Sequence, residues 1–256
     1  MTMLCSSHRF SMLHDWQREH NWGKSSNSKL LRSLRDKSGQ RLGVLGYGSI
    51  GRQVARVAKA MGMDVVAYTA SPRTTPESKH DTGCIVPGTG DPDGSIPSAW
   101  YSGLDKPSLH TFLRQDLDHL LISVPLTDAT RHFIAAEELA ILGATKNAFL
   151  SNISRGAIVN QDDLLASLRR YDDHDPLQNG GDGGGGLRGA ALDVTDPEPL
   201  PEESALWDAP NCIITPHISG LGEAYLERAL SVLEVNLGRR ERGERMINVV
   251  DRKKGY

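Results

Sequence analysis

Leu45-Gly46-Tyr47-Gly48-Ser49-Ile50-Gly51 constrains the fold of this chain more than any other segment. An apolar run at residues 42–45 enters the glycines and reads as a strand. Beyond them Ile50, Val54, Val57, Ala58 and Met61 recur at helical spacing, which predicts a helix packed through that face. A second strand is expected at residues 65–68. Within such a unit each glycine has its own task. Gly46 permits the tight turn, Gly48 lets the backbone approach a pyrophosphate, and Gly51 lets the helix lie close on the strand. The helix begins at Ser49 and Ile50, where unpaired N–H groups and the positive dipole end face any phosphate. Glycines alone would be weak evidence; strand, turn, helix and strand in this order predict a dinucleotide site.

The alternation continues downstream. Strands are expected at residues 119–124, 148–153, 190–194 and 212–215, and helices at 135–142, 161–170 and 223 to about 240. The last helix carries Leu226, Leu230, Leu233 and Leu237 on one stripe. Short, nearly continuous apolar strands between helices predict an α/β protein of the Rossmann type, a doubly wound parallel sheet covered on both faces. Residues 71–107, rich in Gly and Pro, read as an excursion over the surface. Residues 172–188 are acidic and then Gly-rich, and read as a mobile insertion at the surface. Near the amino terminus Leu13, Trp16 and Trp22 are candidate packing residues on a helix.

Composition narrows the partners. Lys and Arg number 29 against 32 Asp and Glu, a formal net charge of −3, which favours neither nucleic acid nor an anionic membrane. No apolar run approaches the ~18 residues of a membrane span, and no basic stretch leads into an apolar one at the start. Three scattered cysteines, Cys5, Cys84 and Cys212, suit a reducing compartment, so the expected location is the cytoplasm.

In a doubly wound sheet, ligands bind beyond the carboxyl ends of the strands. Arg155, Glu198 and His217 each follow an expected strand there. Singly, each has an ordinary explanation: a surface ion pair, an exposed loop residue, a turn cap. Together their types suit the reduction of a 2-oxo acid. Arginine offers a bidentate fork to the carboxylate, histidine a proton near neutral pH, and a carboxylate orients the imidazole and favours its charged form. No histidine pairs with Cys or Glu at metal-ligand spacing, so no metal is expected.

At these residues the sequence resembles the D-isomer-specific 2-hydroxyacid dehydrogenases, from about Leu30 onward. Gly46 to Gly51 resembles the family's cofactor turn, and Asn152-Ile153-Ser154-Arg155-Gly156 its arginine signature. Asp193 to Pro199 resembles the glutamate signature, and Thr215-Pro216-His217-Ile218-Ser219-Gly220 the histidine signature. The resemblance implies that Arg155 binds substrate, Glu198 supports His217, and His217 is the acid/base. It further implies that Asp193 contacts the nicotinamide carboxamide and that Val124, Pro125 and Thr130 line the adenosine side, with Ile153, Ser154 and Gly220 also at the cofactor. The organisation implied is a residual interdomain helix or linker at 1–29, a dinucleotide-binding domain at 30–222, and a helix and tail at 223–256 that return to a substrate domain.

Two departures follow from the same comparison. Members of the family carry most of a separate substrate domain ahead of the cofactor domain, and only its linking helix is recognisable here. Little turnover of 2-oxo acids is therefore expected from the chain on its own. A catalytically impaired cofactor-binding or partner-binding protein is the alternative reading; a methyltransferase would share the glycine turn but leave the later signatures unexplained. The second departure lies after the second strand, where an acid usually holds the 2′-hydroxyl of NAD. This chain has Thr69, with Ser71 and Arg73 beyond it, which favours NADP over NAD. A homodimer formed through the cofactor domain is expected, with Trp100 and Tyr101 as contact residues.

Overall fold

Alternation within the apolar runs decides how the sheet is covered. The computed structural model describes residues 1–22, 34–173 and 184–252. The chain opens with α1 (Thr2–Ser7) and α2 (Phe10–Arg18), followed by β1 (Arg41–Leu45), α3 (Ser49–Ala60) and β2 (Asp64–Thr69). A short α4 (Pro76–Lys79), β3 (Ala99–Ser102), α5 (Lys106–Leu113), β4 (His119–Ile122) and α6 (Ala136–Lys146) come next. The remainder is β5 (Phe149–Asn152), α7 (Gln161–Asp173), β6 (Gly189–Leu192), β7 (Cys212–Ile214) and α8 (Tyr225–Glu241).

The seven strands are all parallel, in the order β3-β2-β1-β4-β5-β6-β7. Leu42 and Val44 of β1, with Val65 and Ala67 of β2, face one apolar layer, shared with Ala55 and Ala58 of α3. Leu45, Val66 and Tyr68 face the other, where Leu109 and Phe112 of α5, Leu139 of α6 and Leu164 of α7 close the core. Phe112 and Phe149 are fully buried, and each such side chain contributes roughly 1.5–3 kcal/mol by leaving water. The strand order reverses between β1 and β4, so the sheet's switch point lies beyond Leu45 and Ile122. This is the doubly wound parallel sheet expected from the sequence.

Four local expectations need correction. Of the face expected for α3, Val54, Ala58 and Met61 pack on the core, but Ile50 and Val57 are 61% and 47% exposed, and Gly51, Arg52 and Ala55 are buried in addition. The helix start lies so close to β1 that Gly51 meets it there. Residues 71–107 are not only a surface excursion: they include α4, edge strand β3 and the start of α5. Trp100 and Tyr101 consequently sit half-buried in β3, where Trp100 meets Tyr47 edge-on at 5.0 Å and Tyr101 packs on Phe112 at 5.8 Å. Both pack against the core from the edge strand while staying partly exposed. Leu13 of α2 is 38% exposed and Trp16 half-buried, because α2 buries none of its residues fully, and Trp22, beyond its end, is 98% exposed. Most of the expected Gly-rich insertion, 174–183, lies outside the described residues, as do 23–33 and the tail from 253.

Candidate active site and cofactor cradle

The glycine turn crosses from β1 to α3 at the switch point. Gly46 has φ +100°, and a Cβ there would come within 2.7 Å of the Ser123 backbone after β4. A Cβ at Gly51 would stand 2.3 Å from the Gly46 carbonyl oxygen and 2.9 Å from Val44. Both positions thus have room only for glycine. Gly48 is different: no described atom lies within 4 Å of the place its Cβ would take. It caps α3 in extended backbone, and no described side chain accepts from the first-turn N–H groups of Ser49, Ile50 and Gly51. An open space facing free helix N–H groups fits a pyrophosphate, and the chain itself does not fill it.

Around the turn, Ser123 donates its hydroxyl to the Gly46 carbonyl at 2.7 Å. Thr69 ends β2 and donates to the Ser71 carbonyl at 2.8 Å, while exposed Arg73 donates to the Ser78 carbonyl at 2.6 Å. No carboxylate occupies position 69. Val124 and Pro125 are half-buried beyond β4. Thr130 is buried, and its hydroxyl donates to the Pro125 carbonyl at 2.7 Å and accepts the Thr127 N–H at 2.8 Å. Its side chain is spent on the shape of this loop.

Beyond β5, buried Asn152 organises the arginine loop: its Nδ2 donates to the Arg155 carbonyl at 2.9 Å and its Oδ1 accepts the Ser154 N–H at 3.1 Å. Ser154 donates its hydroxyl to the Val124 carbonyl, tying this loop to the one after β4. Half-buried Ile153 sits between them. Arg155 is exposed, with Nη1 donating to the Ser154 carbonyl at 2.7 Å. A Cβ at Gly156 would lie 2.0 Å from the Thr195 backbone, so the loops after β5 and β6 touch backbone to backbone.

Asp193, 4% exposed, fixes the loop after β7. Its carboxylate accepts from the Thr215 hydroxyl at 2.6 Å and from the N–H groups of Ile218 and Ser219 at 3.0 and 2.9 Å. Burial works against the charge on Asp193, but hydrogen bonds from Ser219, Thr215 and Ile218 outweigh it and hold the carboxyl below its ordinary value. The Asp193 carbonyl also accepts the His217 N–H at 2.9 Å. His217 adopts φ +53° and places Nδ1 2.5 Å from Glu198 Oε1. The two side chains are 48% and 38% exposed. Gly220 follows, exposed and with open space at its Cβ.

Strand order therefore brings the three sequence candidates to adjacent strand ends, β5 for Arg155, β6 for Glu198 and β7 for His217. Contact joins Glu198 to His217; Arg155 stands on the neighbouring loop. Sequence reasoning missed Asn152 and Gly156 as supports, although both flank the arginine in its motif. It also missed a grouping of His110, Glu137 and Glu138 between α5 and α6, whose ligand atoms lie within 4.8 Å of one another. Glu138 meets Lys106 at 2.9 Å and His110 at 2.6 Å and accepts the Ala135 N–H at 3.0 Å, so the grouping is an interhelical clasp.

Comparison with known proteins bears on this geometry. The family described as D-isomer specific 2-hydroxyacid dehydrogenase, NAD binding domain, matches residues 1–86 and 97–219. A glyoxylate reductase of Aeropyrum pernix is 33% identical over 84% of the chain and 52% of its own length. Among solved structures, a D-isomer specific 2-hydroxyacid dehydrogenase of Xanthobacter autotrophicus, in complex with NADPH and MES, superposes with a TM-score of 0.69. It is 28% identical, covering 99% of this chain and 85% of that one. An NADPH-dependent glyoxylate/hydroxypyruvate reductase of Sinorhizobium meliloti, in complex with NADP and sulfate, gives 0.68 at 25% identity, covering 99% and 66%. The chain spans about half the length of the curated relatives it matches. No described helix is long and apolar enough to cross a membrane.

Proposed function

The chain belongs to the D-isomer specific 2-hydroxyacid dehydrogenase family through its NAD binding domain, and on that premise we propose that it serves an NAD(P)-dependent oxidoreductase of D-2-hydroxy acids. The substrates in this reading are small 2-oxo acids of the glyoxylate and hydroxypyruvate type. The observation that carries it is the 2.5 Å contact between His217 and Glu198, on the strand ends beside Arg155.

The pyrophosphate rests on Gly46 to Gly51, and the adenosine end on Val124, Pro125 and the loop that Thr130 shapes. Ile153, Ser154 and Gly220 flank the nicotinamide end. The Asp193 carboxylate, held in place by the loop after β7, is the group that meets the carboxamide. A bound nicotinamide supplies the hydride for the carbonyl carbon. Arg155 grips the substrate carboxylate in a bidentate fork. Glu198 accepts from Nδ1 of His217 and orients the ring, so the proton for the substrate oxygen leaves from Nε2. NADP is the preferred cofactor, because Thr69 offers no charge to repel a 2′-phosphate and Arg73 lies exposed close by.

The domain reading accompanies this one: a dinucleotide unit at 30–222, and flanks at 1–29 and 223–256 that belong with a substrate domain. Free cysteines and the family's metabolism suit a cytoplasmic setting. Leu226, Leu230, Leu233 and Leu237 along α8 are 52–68% exposed. That stripe supports association, as a homodimer or, in the second reading, as a partner-binding protein without turnover.

Cofactor titration tests the core of the proposal. NADPH fluorescence should report saturable binding to the chain and none to Gly48→Val, whose side chain would occupy the open cradle without disturbing packing. An unchanged titration in the variant would sink the assignment.

A further inference from the structure

At the opposite end of the sheet the chain buries positive charge. Lys37 and Gln40 precede β1, His119 opens β4, and Arg188 precedes β6; they are 6%, 8%, 1% and 8% exposed. Lys37 Nζ lies 2.7 Å from His119 Nε2 and 3.2 Å from Gln40 Oε1, and Arg188 Nη2 lies 3.3 Å from the same imidazole nitrogen. Buried charges are ordinarily paired, yet the carboxylate that faces this group among the described residues, Asp118, already accepts the Arg41 N–H at 2.9 Å. Besides the imidazole, Arg188 Nη2 meets the Asp118 carbonyl, at 3.1 Å, rather than its carboxylate.

Two side-chain nitrogens here, Arg188 Nε and His119 Nδ1, have no hydrogen-bond partner among the described residues. Arg188 Nε carries a hydrogen in every state. His119 Nε2 faces two donors, Lys37 Nζ and Arg188 Nη2, as well as the Gln40 side-chain oxygen at 2.9 Å, and the tautomer that accepts from both donors carries its hydrogen on Nδ1. Both orphans are therefore donors, in a place with an excess of cations. Burial and mutual repulsion with Arg35 act on all three: Lys37 is lowered to about 7, Arg188 to about 10 and His119 to about 2.

We propose that this amino-terminal end of the sheet is a binding site for a small dianionic oxyanion of the phosphate or sulfate type, held by Lys37, Arg188 and His119. Such an ion supplies what the cluster lacks, negative charge and acceptor oxygens together. Water would satisfy the donors but leave the charge uncompensated. The site is separated from the cofactor cradle by the length of the strands and does not depend on the dehydrogenase reading.

Thermal unfolding of the full chain at pH 7 and constant ionic strength tests it, with inorganic phosphate or sulfate replacing chloride. Tm should rise by roughly 5 °C or more at phosphate a hundredfold above its Kd. The rise should persist in Gly48→Val, which blocks the cofactor cradle, and vanish in Lys37→Met. A rise that survives Lys37→Met and disappears in Gly48→Val would place the ion at the glycine turn and overturn the proposal. So would the absence of any response, which would leave the donors to water. Should Lys37→Met fail to fold, nitrogen-15 NMR of the wild-type imidazoles decides: the Nδ1 resonance of His119 must move on phosphate addition, and a resonance that stays fixed refutes the site. Phenyl phosphate in place of inorganic phosphate then separates a site for the bare ion, which ignores the ester, from one for phosphomonoesters, which responds to both; either response supports the oxyanion site.

Discussion

The two ends of one parallel sheet treat polar groups in opposite ways. At the carboxyl ends His217 and Glu198 are about half exposed and already paired, and the loops that carry them are pinned by Asn152 and Asp193. At the amino ends Lys37, His119 and Arg188 are buried and short of acceptors. The first arrangement puts reactive groups where a ligand can reach them at little cost to folding. The second makes folding itself sensitive to charge. Substitutions at one end should therefore change chemistry, and at the other, stability.

The largest effect expected is at the buried end. Lys37 titrates near 7 in the folded chain against its ordinary 10.5. Between those values the unfolded chain holds a proton that the folded chain lacks, so stability rises with pH, by up to about 1.4 kcal/mol per unit. Urea unfolding in phosphate-free buffer from pH 7 to 10 should show this slope in the wild type and lose it in Lys37→Met. Equal slopes in the two proteins would erase the contrast between the ends.

Next comes the exposed end. With the chain fused in frame to the substrate-domain segment of a relative, His217→Ala should lower glyoxylate reduction by roughly a hundredfold or more. The same variant should unfold within about 0.5 kcal/mol of the wild type. A stability loss as large as the activity loss would mean that His217 is a structural residue.

Asp193 lies at the carboxyl end but is buried, and it shows whether burial or position decides. Asp193→Asn should cost about 1–3 kcal/mol, because it weakens three hydrogen bonds at a buried site. Since the folded state holds this carboxyl below its ordinary value, its contribution is present at neutral pH and fades as pH falls through the folded value. The wild type should thus lose more stability on acidification than the variant, and an identical acid limb would count against the hydrogen-bond account. The smallest effect is expected at exposed Arg73. Arg73→Ala should reduce a preference for NADPH over NADH by roughly tenfold or less, read as the ratio of the two dissociation constants; a wild type that prefers NADH would refute the reading of this loop.

Much of the carboxyl end was legible in the sequence because it is made of short contiguous motifs. Gly46, Gly48 and Gly51 announce a turn whose geometry is set by the backbone, and Arg155, Glu198 and His217 sit just after apolar strands. The amino end was not legible. Lys37, Gln40, His119 and Arg188 are scattered through the chain, belong to no motif and meet only through strand order. β3 escaped notice because its four residues lie in a stretch crowded with turn-forming residues, and α5 because Pro107 at its start looked like the end of a loop rather than a helix's first turn. On α3 periodicity found Val54, Ala58 and Met61 but also admitted exposed Ile50 and Val57, and it passed over small Ala55, which is buried.

His217 holds a left-handed backbone conformation, φ +53°, that side-chain-bearing residues enter reluctantly. Local conformational preference alone would place glycine or asparagine at this position. In a library of variants screened only for soluble folded protein, position 217 should drift toward those two residues; screened for turnover, it should stay histidine. The divergence between the two screens at a single site would measure how far selection for chemistry holds the backbone away from its own preference.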